Sequence, residues 1–94
     1  MSGAAIAPGD ARALARALVR IDSRNPSLAP DGPGESACVA FLREVLDAWG
    51  FRTEVHDAAP GRPNLVARAG EGRHGRTLML SGHVDVVGVE GMTH

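Results

Sequence analysis

His83 and Asp85 stand one residue apart in the stretch TLMLSGHVDVVGVEG (residues 77–91), where an apolar run breaks at Ser81-Gly82. A neutral imidazole is a common zinc ligand, and a ligating His normally has its second ring nitrogen held by a carboxylate or a carbonyl. In an extended segment residues i and i+2 point to the same side, so His83 and Asp85 can share one face. Asp85 would then orient the ring or lie beside the metal. Gly82 and Gly88 would let backbone approach closely with no Cβ in the way. The alternative is that His83 hydrogen-bonds Asp85 only to tie down a loop. So short a motif arises by chance often enough that its spacing does not choose between the two.

No second constellation joins them. His56 falls on the exposed side of an alternating segment, His74 in a polar turn, and His94 is terminal. Glu54, Asp57 and Glu71 read as surface charges; Glu90 would be solvated or line the mouth of a site. The glycines of GEGRHG are out of register for a dinucleotide fingerprint and precede a strand instead of following one. Ser81 lacks a nucleophile-elbow pattern, and without lysine there is no Walker-type phosphate loop. Those absences weigh against a nucleotide-binding domain.

The elements that must carry His83 and Asp85 follow from periodicity. Residues 1–9 are small and irregular and read as a flexible N-terminal arm. From Asp10, a plausible N-cap, Leu14, Leu18 and Ile21 recur at helical spacing. Pro26 pushes Asn25 out of helical space, and NPSLAPDGPG (25–34) is a loop. A second helix starts near Glu35 or Ser36, carries the stripe Cys38, Phe41, Leu42, Val45 and Trp49, and closes on Gly50 as a left-handed cap. Arg43 and Asp47 are at pairing distance on its other face. FRTEVHD alternates as a half-exposed strand, APGRP turns the chain, NLVARA is a second strand and RTLMLS a third. The near-continuous apolar run of the third predicts a central strand buried on both faces. The order helix-helix-strand-strand-strand predicts an α/β chain. Its first two strands pair antiparallel, and the third lies in a mixed sheet flanked by helices. In open α/β sheets functional groups gather past the carboxyl ends of central strands, which is where His83 and Asp85 fall. No closing helix follows, so the core is expected to be incomplete, marginal alone or prone to self-association.

Bulk properties narrow the partners. The chain has 94 residues, 44% hydrophobic and 22% charged, with a formal net charge of −1. A chain this short buries about 60–65% of its unfolded surface. Near-neutral charge without a basic patch argues against nucleic acid or an anionic membrane as partner. Cys38, the single cysteine, excludes an intrachain disulfide and a thiolate metal cluster. The N-terminus has no basic segment followed by an apolar one, so no signal peptide is expected, and no apolar stretch approaches the ~20 residues of a membrane span. A cytoplasmic location is the default.

The run TLMLSGHVDVVGVEGMTH resembles the first metal motif of the zinc aminoacylase/carboxypeptidase family, which includes acetylornithine deacetylases and succinyl-diaminopimelate desuccinylases. The upstream layout is similar too: LVRIDSRNPS, GPGES, ACVAFLREVLDAWGF and GRPNLVARAG. The likeness covers nearly everything from Asp10. It implies a zinc-exopeptidase-like three-layer catalytic domain with a mixed sheet, of which residues 10–94 would be the N-terminal part, truncated after the first metal motif. It implies a site with two zinc ions, cobalt or another divalent ion being possible. His83 would be a metal ligand and Asp85 the catalytic carboxylate that orients it. A metal-activated water would attack the amide of an N-acyl amino acid or small peptide, and a Glu on another segment would move the proton. The remaining ligands, that Glu and a second domain for dimerisation are not matched in residues 1–94. The expectation is therefore an N-terminal fragment of a metallohydrolase, inactive alone and homodimeric only as the whole protein. The alternative is a non-catalytic binding or interaction module that keeps the scaffold.

Overall fold

The structure, a computed structural model, describes residues 6–70, 72 and 75–89. Glu71, His74, Glu90 and His94 lie outside the described residues. Helix α1 spans Ala11–Val19 and α2 spans Ser36–Ala48; strands β1 (Arg52–Ala59) and β2 (Arg62–Arg68) form an antiparallel hairpin.

Both helices have ends that their sequences dictate. The Asp10 carboxylate accepts a hydrogen bond from the Ala13 amide at 3.0 Å, satisfying one of the donors that a helix start leaves open. At the end of α2, Gly50 adopts φ 91°. Its amide donates to the Asp47 carbonyl at 3.0 Å and the Phe51 amide donates to the Leu46 carbonyl at 2.9 Å. These two bonds are the Schellman closure, which needs a left-handed residue that only glycine adopts cheaply.

The core lies where α1 and α2 meet. Ile6, Ala17 and Val45 form its buried centre, with Ala13, Leu14, Phe41 and Trp49 packed around them. Ile6, within the 1–9 segment, is docked on this core: its side chain is buried, and the Trp49 indole donates to its carbonyl at 3.0 Å. An apolar side chain beside an indole that needs an acceptor is enough to dock this residue on the core. On α2 the predicted stripe is observed, with Cys38 and Val45 fully buried and Val39 added to them. Burial, with the nearby Glu35 charge second, pushes the Cys38 thiol above its ordinary range.

Helix α2 packs against both strands of the hairpin. Thr53 pairs with Ala67 and Val55 with Leu65, and the register slips between Asp57 and Ala59 before the turn. Leu65, Val66 and Ala67 are half-buried, whereas Thr53 is the one half-buried position of β1. The Arg43 guanidinium stands 4.0 Å from Asp47, as its spacing predicts. It also donates to the Thr53 hydroxyl, which in turn donates to Asp47.

The third strand is the main correction. Residues 76–81 carry no strand pairing, and Leu78, Met79 and Leu80 are 83%, 83% and 86% exposed. Among the described residues the sheet has two strands and is wholly antiparallel, not mixed. The coarse α/β class holds. An apolar run becomes a central strand only when neighbours supply hydrogen-bond partners and cover for both faces, and no such neighbours occur among the described residues.

Candidate functional site

The chain leaves α1 at Val19 and is extended by Ser23. There it runs parallel to the segment that bears the His-x-Asp motif, in an isolated bridge between Arg24 and Val86. The Asn25 amide donates to the Val86 carbonyl at 2.8 Å, and the Val86 amide donates to the Ser23 carbonyl at 3.0 Å. The buried Ser23 hydroxyl donates to the Val84 carbonyl at 2.8 Å. Two segments some 60 residues apart thus form a short ladder, with the motif on one of its rails.

His83 and Asp85 meet as their spacing predicts. His83 Nδ1 lies 3.0 Å from Asp85 Oδ1 and 3.1 Å from the Asp85 carbonyl oxygen. A carbonyl and an ionised carboxylate only accept, so Nδ1 carries the proton; when the ring is neutral its lone pair is on Nε2. The His83 side chain is 85% exposed and that of Asp85 27%, so the free nitrogen faces solvent while its anchor is largely covered. The Asn25 side-chain amide donates to the other oxygen, Asp85 Oδ2, at 2.8 Å. That hydrogen bond, and then those from His83, hold the Asp85 carboxyl below the usual carboxylate range. At Gly82 the expectation of close backbone approach is not met: a Cβ there would meet nothing within 4 Å.

The loop beneath is tied down by charge and by space. Arg24 forks onto both oxygens of Asp22, at 2.9 and 2.8 Å, and reaches Asp31 at 3.2 Å. Asp22 is consequently held below its ordinary range. A Cβ on Gly32 would lie 2.6 Å from the Arg24 carbonyl oxygen and 2.9 Å from that of Ala29, so only glycine fits. Glu35, buried at the start of α2, accepts from Arg62 Nε at 2.6 Å. The Glu35 hydrogen bond raises the Arg62 guanidinium further, and the Asp85 charge adds to this from the site. The turn end of the hairpin therefore borders the motif electrostatically.

Sequence reasoning singled out His83 and Asp85 and did not single out Ser23, Asn25 or the Glu35–Arg62 pair, which the structure places beside them. The one available signal was SRNPS, whose Ser and Asn readily bond to backbone or side chain beside a proline turn. His56 stays on the surface as expected, hydrogen-bonded to Glu54. Among the described residues no group of three or more His, Cys, Asp or Glu gathers to hold a metal ion. A zinc site needs three or four ligands. The described residues therefore do not complete one; they present a single oriented imidazole. No helix among them is long and apolar enough to cross a membrane.

The described residues form a small α/β unit that presents one imidazole oriented by a carboxylate. Its relatives are named as deacetylases and desuccinylases. The chain is 39% identical over 54 residues to an acetylornithine deacetylase of Vibrio cholerae, covering 57% of this chain and 14% of that protein. It is 35% identical over 72 residues to an acetylornithine deacetylase of Vibrio vulnificus, covering 77% and 18% respectively. Against a succinyl-diaminopimelate desuccinylase of Methylobacterium it is 42% identical over 79 residues, covering 80% and 18%. The chain is thus a homologue of the acetylornithine deacetylases and succinyl-diaminopimelate desuccinylases, the likeness read from its motif and upstream layout. It spans between 14% and 18% of the length of these relatives. No family model matches the chain, and no solved structure matches it.

Proposed function

We propose that this chain carries the first metal-binding motif of a cytoplasmic deacylase that cleaves the amide of an N-acyl amino acid or small peptide, with His83 as a zinc ligand and Asp85 as the carboxylate that orients it. The supporting observation is the His83–Asp85 pair at 3.0 Å, which occupies Nδ1 and leaves Nε2 as the nitrogen without a hydrogen-bond partner within the pair, on a side chain that is 85% exposed. The relatives named for acetylornithine and succinyl-diaminopimelate support the substrate class. A bound divalent ion would supply Lewis acidity and an activated water. The chain's own part is narrower. Asp85 keeps the proton on Nδ1 and stabilises positive charge on the ring, and the Ser23–Asn25 segment holds Asp85 in place. On this reading the remaining ligands, the general-base Glu, a second zinc and a dimerising domain belong to a longer polypeptide with a three-layer zinc-exopeptidase-like fold. Residues 1–94 alone are inactive.

The test is a polypeptide extended to the length of the relatives, assayed on acetylornithine and succinyl-diaminopimelate. Hydrolysis abolished by chelation, restored by zinc or cobalt and lost in His83→Ala supports the proposal. A metal-loaded protein that leaves a panel of N-acyl amino acids intact removes it in favour of a non-catalytic binding module.

A further inference from the structure

Asn25 uses three of its polar groups for three different tasks, while its carbonyl accepts from the Leu28 and Ala29 amides within the loop. Its main-chain amide donates to the Val86 carbonyl at 2.8 Å, joining the two rails of the ladder. Its side-chain oxygen accepts from the Ser27 amide at 2.8 Å, closing an Asx turn into the proline-rich loop. Its side-chain nitrogen donates to Asp85 Oδ2 at 2.8 Å across 60 residues of sequence. A turn needs only the oxygen, and a ladder only the backbone. The third bond serves neither, and it ends on the carboxylate that holds His83.

We infer that Asn25 is a positioning residue of the candidate site: its amide locks the Asp85 carboxylate so that Oδ1 meets His83 Nδ1 and Nε2 is presented outward. A carboxylate gripped at one oxygen cannot swing about its terminal torsion, which is otherwise broad and nearly free of barriers. With Oδ2 occupied by a donor, Oδ1 is the oxygen left for the imidazole. Ser23, whose hydroxyl holds the Val84 carbonyl at 2.8 Å, keeps the intervening residue in register. Gly32 and Gly34 support Asn25 from behind: the Gly34 amide donates to the Arg24 carbonyl at 3.0 Å, and Gly32 leaves room for that approach. The meaning of this device rests on the metal-ligand reading of His83; its test does not.

Asn25→Asp separates the roles, because the substituted carboxylate retains the oxygen that accepts from Ser27 and loses the donor to Asp85. The readout is the tautomer and side-chain order of His83 in the 94-residue chain, from long-range proton–nitrogen NMR spectra of the neutral ring. In the natural chain one signal set with the proton on Nδ1 is expected. In Asn25→Asp the proton shifts in large part to Nε2 and the ring becomes rotationally averaged, since only the Asp85 carbonyl remains to hold Nδ1. Helical signal and the Ser27 amide shift stay close to natural values. Asn25→Ala, which also removes the turn acceptor, loses both the tautomer and the Ser27 signature. A His83 tautomer unchanged in Asn25→Asp overturns the inference and leaves Asn25 a turn residue. Failure of the longer polypeptide to hydrolyse N-acyl amino acids would remove the functional proposal while leaving this result untouched.

Discussion

Single residues in this chain act through space that a neighbour either needs or denies. Gly32 is the sharpest case, because the atoms a Cβ would meet are backbone carbonyl oxygens at 2.6 and 2.9 Å that cannot rotate aside. Gly32→Ala should cost roughly 1–3 kcal/mol, the usual range for overpacking, measured as a lowered urea midpoint. The displaced Arg24 carbonyl should also shift the NMR signals of Asn25 and His83. An unchanged midpoint would mean that the 25–34 loop gives way freely. His83 and Asp85 were legible in the sequence because i and i+2 share a face in any extended segment, whatever surrounds it. Asn25 was legible only as the residue before a proline. Its Asp85 partner is set by the fold, not by local spacing.

The elements obey local rules wherever the deciding atoms are close in sequence. Asp10 caps α1 through the Ala13 amide three residues on, and Gly50 ends α2 with φ 91°. Gly50→Ala meets no atom within 4 Å, so its cost is conformational alone, about 1 kcal/mol. Thermal or urea unfolding of the variant checks this, and a neutral result would show that α2 can close without a left-handed residue. RTLMLS is where element-level reasoning fails. Its composition states what the segment tolerates, which is burial on both faces, but strand pairing requires a partner edge. Among the described residues neither outer edge of the hairpin pairs with this segment.

At the scale of the molecule, the shape and the surface reflect that unpaired segment. The radius of gyration is 14.9 Å, against about 12.4 Å for a compact domain of this length. With Leu78, Met79 and Leu80 exposed together, the chain should associate as its concentration rises. Sedimentation should show a weight-average mass that grows with loading, and Leu78→Ser with Leu80→Ser should return it toward the monomer. A monomer at all loadings would show that the stretch is not sticky enough to matter. Stability should also fall in acid. Asp22, Glu54 and Asp85 are each held below the ordinary carboxylate range, by Arg24, by His56 and Arg68, and by Asn25 and His83 respectively. A depressed folded value means that the unfolded chain binds protons first. The contribution is therefore complete above the ordinary carboxylate range, about pH 4, and is lost as pH falls through the lowered values. The urea midpoint should be nearly flat from pH 7 to about 5 and drop below about 4; a midpoint that holds to pH 3 would mean that these pairs do not stabilise the fold.

What residue types and short spacings decide here is everything settled within a few bonds: where the helices start and stop, which face of α2 is apolar, the hairpin turn, and the meeting of imidazole with carboxylate. Those outcomes depend on backbone geometry and nearest neighbours, which any reader of the chain can reconstruct. The fold alone decided that Ile6 joins the core, that Ser23–Asn25 lies beside Val84–Val86, that Glu35 and Arg62 pair beneath the site, and that an apolar run stays unpaired. Each of these depends on which distant segments find hydrogen-bond partners in one another, and long-range pairing leaves no periodic trace in either segment. The candidate site is divided along the same line: two residues separated by Val84 supply its chemistry, and a loop 60 residues away in sequence holds them still.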